Sequence, residues 1–165
     1  MKFQCYTLGC KVNQYETQAM ETVLAERGHS AAAAGERADA VIVNTCAVTA
    51  ESGRKSRQLI RRLRDENPDA VIAVGGCYSQ LSPEDVRELG AKVIFGAADR
   101  LKLLEAVERA VSQGEETVNV DEPFKRRQFE LLPAGAVSGR TRAMLKIQDG
   151  CVNFCSYCII PYTRG

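Results

Sequence analysis

A single histidine, His29, in 165 residues leaves no room for a serine–histidine–aspartate centre elsewhere in the chain. That residue directly follows a helix-ending glycine and reads as a loop position rather than a metal ligand. No pair of carboxylates marks a general acid–base site. Long apolar runs are missing too: nothing approaches the roughly 18 residues that cross a bilayer, and no charged-then-apolar leader opens the chain. The expectation is a cytoplasmic protein with no membrane partner. Neither sign of charge dominates, with 22 basic residues against 21 acidic ones and a net charge of +1. A global attraction to nucleic acid is thereby excluded, and any such contact must be local. With 45% hydrophobic and 26% charged residues, the chain has the make-up of one ordinary globular domain, or of one domain and part of another.

Cysteine, by contrast, is plentiful. Seven cysteines, an odd number without an export signal, point to reduced thiols engaged in metal or redox chemistry rather than to disulfides. Cys151, Cys155 and Cys158 stand at C-x3-C-x2-C spacing. Soft thiolates select zinc, copper(I) or iron–sulfur clusters. A structural zinc site wants a fourth cysteine or histidine, and a fully ligated four-iron cluster wants four cysteines. Three ligands with no local fourth imply a cluster with one iron left open to another molecule. The spacing resembles the signature of the radical S-adenosylmethionine enzymes, in which the open iron takes the amino and carboxylate groups of S-adenosylmethionine (SAM). Tyr157, the aromatic before the third cysteine, fits the same pattern, and the resemblance implies a place for it near the SAM adenine.

Along the chain, strand-like and helical patterns alternate. Lys2 to Leu8 reads as a strand, and Asn13 to Arg27 as a helix with Tyr15, Ala19, Met20, Val23 and Leu24 on one face and Gly28 as its cap. Ser30 to Ala34 is a weak strand signal. Ala40 to Val43 and Ala70 to Val74 are continuous apolar runs of the kind buried on both faces of a parallel sheet, with a long polar helix between them that Pro68 stops. Ser82 and Asp99 are placed to cap two further helices, on either side of a strand at Lys92 to Phe95. Strict alternation is the grammar of a parallel α/β sheet, here of flavodoxin-like or Rossmann-like type with helices on both faces and strand order 2-1-3-4-5. Residues 1–120 form this domain. Residues 121–140, with two prolines, two glycines and the basic run Lys125–Arg126–Arg127, read as a linker. Arg142 to Gln148 alternates in the manner of a strand that buries Ala143, Leu145 and Ile147, so 141–165 reads as the start of a second domain, a partial (β/α) barrel. A barrel takes roughly 200 residues or more, so the expectation is an N-terminal piece of a longer protein, inactive by itself.

Cys10, Cys46 and Cys77 each follow directly on a predicted strand, one strand–helix–strand unit apart. In the expected order their strands are neighbours, ~4.8 Å apart. The three thiols would then meet at the carboxyl edge of the sheet, where open α/β sheets place ligands. Glycines before Cys10 and Cys77 allow a sharp turn and a close approach. A second three-cysteine cluster is the expectation, with Cys5, inside the first strand, as a core residue.

The segments Thr7-Leu-Gly-Cys-Lys-Val-Asn-Gln-Tyr-Glu-Thr17, Asn44-Thr-Cys46, Gly76-Cys-Tyr-Ser-Gln80 and Lys146-Ile-Gln-Asp-Gly-Cys151 resemble the methylthiotransferase family of radical SAM enzymes, over the whole chain. Three branches of that family act on isopentenyladenosine in tRNA, on threonylcarbamoyladenosine in tRNA, or on an aspartate of ribosomal protein S12. Lys11-Val12-Asn13, Arg54 to Arg57 and Ile147-Gln148-Asp149 look most like the threonylcarbamoyladenosine branch. The resemblance implies two four-iron clusters. The one on Cys151, Cys155 and Cys158 would cleave SAM to a radical that takes hydrogen from carbon 2 of the adenine at tRNA position 37. The other, on Cys10, Cys46 and Cys77, would carry the sulfur that becomes the methylthio group. It implies tRNA, an electron donor and a sulfur source as partners. An unactivated aromatic C–H offers no acidic proton, which agrees with the missing acid–base site: the cofactor carries the hard chemistry. A rival from another class is a non-enzymatic iron–sulfur or zinc protein. The basic helix with Arg54, Lys55, Arg57, Arg61, Arg62 and Arg64 is either a solvated surface paired with Glu51, Asp65 and Glu66 or a phosphate contact.

Overall fold

Residues 1–33, 35–133 and 144–165 are described by the computed structural model. The two apolar runs at its centre are strands buried at every position. In chain order the elements are β1 (Lys2–Thr7), α1 (Lys11–Glu26), β2 (Ser30–Ala31), β3 (Ala40–Thr45), α2 (Ala50–Glu66), β4 (Val71–Gly76), α3 (Cys77–Leu81), α4 (Pro83–Glu88), β5 (Val93–Phe95), α5 (Arg100–Gln113), β6 (Thr117–Asn119) and α6 (Ile160–Arg164), with one 3-10 turn at Pro123–Lys125. All strand pairings are parallel and the order is β2-β1-β3-β4-β5-β6. The expected order is therefore present, extended by β6, a three-residue edge strand too short to stand out in the sequence.

Two apolar layers sandwich the sheet. Alternate residues of the strands, Ile42 and Ala73 among them, meet Met20 and Leu24 of α1 and Leu103, Leu104 and Val107 of α5. The intervening residues, Val41, Val43, Ile72 and Val74, meet Ile60 and Leu63 of α2 and Val86 of α4. Each such aliphatic side chain contributes ~1.5–3 kcal/mol relative to exposure. The long helix α2 carries a reciprocal cap between Thr49 and Ser52 and stops at Asn67, the residue before Pro68, as a proline demands.

Three local expectations fail. Ser82 makes no side-chain cap bond because a separate helix, α3, already begins at Cys77 and ends against it. Asp99 sits in the left-handed region, at φ +59°, and turns its carboxylate to Lys102 instead of capping α5. The expected strand at Arg142–Gln148 is the largest departure. Its first two residues lie outside the described ones, but Met144 to Gln148 form no strand. Leu145 and Ile147 are 81% and 85% exposed, while the Lys146 side chain is 2% exposed. No neighbouring strand covers the apolar positions among the described residues, and a buried carboxylate draws Lys146 inward.

Candidate functional site

The carboxyl edge of the sheet is where the first three cysteines fall. Cys10 follows β1 and is the N-cap residue of α1, Cys46 follows β3, and Cys77 opens α3 directly after β4. Pairing of Thr7 with Asn44 and of Thr45 with Gly76 sets the ends of these three strands side by side. Cys10 is exposed, whereas Cys46 and Cys77 are buried. Two glycines make the packing possible. At Gly9, φ is +97° and an added Cβ would lie 2.7 Å from the Cys46 sulfur. At Gly76, φ is +109° and an added Cβ would overlap the Thr45 backbone, its nitrogen at 2.6 Å. Burial pushes the Cys77 thiol pKa up, opposed by the nearby Arg164 guanidinium. Cys5 is likewise held well above the ordinary thiol range by burial, as suits a packing residue of β1.

The second cysteine set lies on a loop without strand pairing among its described residues. Cys151 and Cys158 are half-buried and Cys155 is exposed. The loop closes on itself: the Cys151 N–H donates to the Gly165 carbonyl at 2.6 Å, and the Cys158 N–H to the Cys155 carbonyl at 2.9 Å. Phe154 adopts a left-handed backbone, φ +45°, and its ring stacks on Phe124 at 5.6 Å with Tyr162 edge-on to both. Tyr157 is 90% exposed.

Between the two sets lies a buried ion cluster that the pattern of the sequence did not announce. Glu16, on the inward face of α1, is fully buried. Its Oε1 accepts from Lys146 at 3.1 Å and from Arg164 at 2.8 Å. Its Oε2 accepts from Arg100 at 3.2 Å, from Arg164 at 3.1 Å and from Asn44 at 3.4 Å. Asp149 bridges Lys146, at 2.6 Å, and Arg164, at 2.7 Å. Burial alone would raise the Glu16 pKa, but Arg100, Arg164 and Lys146 outweigh it and hold the carboxyl well below the usual range. Arg164 also donates to Asn13 at 2.7 Å. Asn13 in turn donates to the carbonyls of Leu8 and Thr45, at 2.8 and 2.9 Å, and its Oδ1 lies 3.7 Å from the Cys10 sulfur. The one available signal was an acid on the apolar stripe of α1, in step with Met20, Val23 and Leu24, since a charge there demands a buried partner.

Whether the thiols suit a bound metal or cluster is a question of donor set and placement. Among the described residues, no three His, Cys, Asp or Glu side chains are gathered closely enough to hold a metal ion as they stand. The donors are nevertheless of the soft thiolate kind that such groups select, and the backbone brings each strand-end cysteine to one edge. The residues fit in kind and in backbone position. The basic surface of α2 is largely self-paired: Arg54 and Lys55 with Glu51, Arg62 with Glu66, Arg64 with Asp65, while Arg57 lies over the Tyr78 ring at 5.7 Å. Arg126 is held by Asp121 and Gln80. No helix among the described residues is long and apolar enough to cross a membrane.

The fold is that of a flavodoxin-like, doubly wound parallel sheet with its candidate site on the carboxyl edge. In overall fold it is similar to a response regulator from Thermotoga maritima, with a TM-score of 0.50 and 23% identity, covering 68% of this chain and 98% of the other. Residues 2–96 match the family described as uncharacterized protein family UPF0004, and the chain belongs to that family. It is 44% identical over 161 residues to a threonylcarbamoyladenosine tRNA methylthiotransferase MtaB from Bacillus subtilis, covering 97% of this chain and 36% of that protein. The MtaB of Aquifex aeolicus is 32% identical, over 100% of this chain and 40% of its own length. A tRNA-2-methylthio-N(6)-dimethylallyladenosine synthase from Novosphingobium aromaticivorans is 37% identical, over 99% of this chain and 37% of its own length. The chain thus spans well under half the length of the relatives it matches.

Proposed function

We propose that the chain is the N-terminal part of a tRNA methylthiotransferase that places a methylthio group on carbon 2 of N6-threonylcarbamoyladenosine at tRNA position 37. The observation that carries this reading is the 44% identity to the Bacillus subtilis protein across nearly the whole chain. Cys10, Cys46 and Cys77 would hold one four-iron cluster, and Cys151, Cys155 and Cys158 a second, SAM-binding one with Tyr157 beside the SAM adenine. When bound, the two clusters would supply reductive cleavage of SAM and transfer of sulfur to an unactivated carbon, fed by an electron donor and a sulfur source in the cytoplasm. The chain's own part is support. Gly9 and Gly76 let the backbone crowd the strand ends, and the apolar layers keep those ends rigid. Asn13 ties the turns before Cys10 and Cys46 together through two carbonyls.

A second reading, action on dimethylallyladenosine (isopentenyladenosine) in tRNA, is favoured by the 37% identity to the Novosphingobium protein. Mass analysis of tRNA nucleosides from cells lacking the gene separates the two. Loss of 2-methylthio-N6-threonylcarbamoyladenosine supports the first; loss of the methylthio-isopentenyl nucleoside moves the assignment to the second. An unchanged nucleoside profile rejects both. Anaerobic reconstitution of the full-length protein adds a chemical check: roughly eight iron with sulfide, as two four-iron clusters, is expected, and zinc without sulfide would mark a non-enzymatic metal protein.

A further inference from the structure

We propose that Glu16 is a positioning residue, whose buried carboxylate seats the Cys151–Cys158 loop on the sheet edge that carries Cys10, Cys46 and Cys77. The inference gives a role within the proposed reaction and rests on that reading only for its purpose; the seating itself is a matter of geometry. A purely structural acid on α1 would be satisfied by Arg100, the cation that α5 supplies to it. Glu16 goes further. Among the described residues, its Oε1 bonds to Lys146 and Arg164, which lie on the two flanks of the cysteine loop. Asp149 joins the same two cations from within the loop's approach. The loop's neck, Cys151 N–H to Gly165 carbonyl, is thereby closed next to the carboxylate.

The far side of the cluster leads to the other cysteines. Arg164 reaches Asn13, and Asn13 donates to the carbonyls of Leu8 and Thr45, two residues ahead of Cys10 and one ahead of Cys46. α6, which carries Thr163 and Arg164, packs on α3, the helix that Cys77 opens. Seating by Glu16 therefore covers Cys77, which is only 2% exposed. No strand pairing holds the 144–165 segment among its described residues; the ion cluster, the aromatic trio and a bond from Arg126 to the Thr163 carbonyl at 3.1 Å fasten it instead.

Cys77 reports on the seating, and Cys5, inside β1, reports on the sheet. The metal-free 165-residue chain is alkylated with iodoacetamide, and the rate at each cysteine is read by mass spectrometry. Glu16→Gln is expected to raise the Cys77 rate by about tenfold or more, the scale of losing one partner of a buried ion pair, with the Cys5 rate unchanged. Lys146→Gln, which removes a fastening that does not touch Cys77, is expected to raise the same rate less. The double variant is expected to match Glu16→Gln alone. An unchanged Cys77 rate in Glu16→Gln overturns the proposal, and so do effects that multiply in the double variant. Should Glu16→Gln speed Cys5 as well, the sheet itself has opened and Lys146→Gln decides. A rise at Cys77 alone then supports the seating, and no rise, or a rise at both, rejects it. Because no metal is present, failure here is distinct from failure of iron loading or of the tRNA nucleoside assay.

Discussion

The two cysteine sets are held by opposite kinds of force. Cys10, Cys46 and Cys77 stand just past the ends of the adjacent parallel strands β1, β3 and β4, so their placement follows from the backbone ladder and from apolar layers on both faces. Cys151, Cys155 and Cys158 stand on a loop fastened largely by side chains: the carboxylates of Glu16 and Asp149 with three cations, and three half-exposed aromatic rings. Hydrophobic burial is non-directional and spread over many residues. An ion cluster concentrates its effect in a few groups, and one change disables it.

Replacing Glu16 tests that difference most severely. Glu16→Ala leaves Arg100, Lys146 and Arg164 buried around an empty space, and breaking a buried pair from one side costs about 3–5 kcal/mol; urea unfolding measures it. The effect carries a pH signature. Because the folded pKa of Glu16 is depressed, its contribution is complete above the ordinary glutamate pKa of ~4.3 and is lost as pH falls through the lower, folded value. Between pH 7 and pH 5 the difference between wild type and Glu16→Ala should therefore stay constant.

On the sheet edge the corresponding break is steric. Gly76 has φ +109° and ψ −168°, a region essentially reserved for glycine and costing roughly 1–3 kcal/mol for another residue. Gly76→Ala adds overlap with the Thr45 backbone, which cannot move without disturbing the ladder. Gly114, at φ +72° with open space around it, is the control: Gly114→Ala should cost only about 1–2 kcal/mol. Equal losses at the two glycines would show that backbone conformation alone, and not crowding at the cysteine edge, decides the cost.

The sheet was legible because its signals are periodic and redundant. Uninterrupted apolar runs at β3 and β4, alternating with helical stripes, leave few topologies open, and each cysteine's position after a strand followed from them. Only β6, with three residues and one exposed valine, fell below that signal. The expected strand at Arg142–Gln148 failed for a related reason. Leu145 and Ile147 obey a period of two, but periodicity predicts burial only where a neighbouring sheet exists to bury against. The position that is buried, Lys146, is a charged one chosen by a partner 130 residues away. Long-range ion pairs leave no periodic trace, which is why Glu16, Arg100 and Arg164 had no assigned role until the chain was seen folded.

A smaller effect of the reverse sign is expected at Glu130. Burial, with Glu16 nearby, raises its carboxyl pKa, although Arg100 opposes the shift. A raised acid destabilises the folded state once it ionises, so its penalty is present at neutral pH and fades as pH falls through the folded value. Glu130→Gln keeps an acceptor for the Leu101 N–H and should raise the unfolding midpoint modestly at pH 7, with the gain vanishing on acidification. A gain that persisted in acid would assign the effect to packing.

The smallest effect is expected where the bond lengths look best. Arg54 grips Glu51 with two donors at 2.8 and 2.6 Å, shorter than most distances in the Glu16 cluster. Both side chains are about half exposed, 51% and 52%. Water competes for every one of those donors, and holding two long side chains in one geometry costs entropy, so such pairs contribute little. Arg54→Gln should leave the unfolding midpoint unchanged within error at both low and high salt, whereas Glu16→Ala should not. If the two substitutions were equally damaging, distance rather than desolvation would govern these ion pairs, and the contrast between a solvated helix face and a buried fastening would fall.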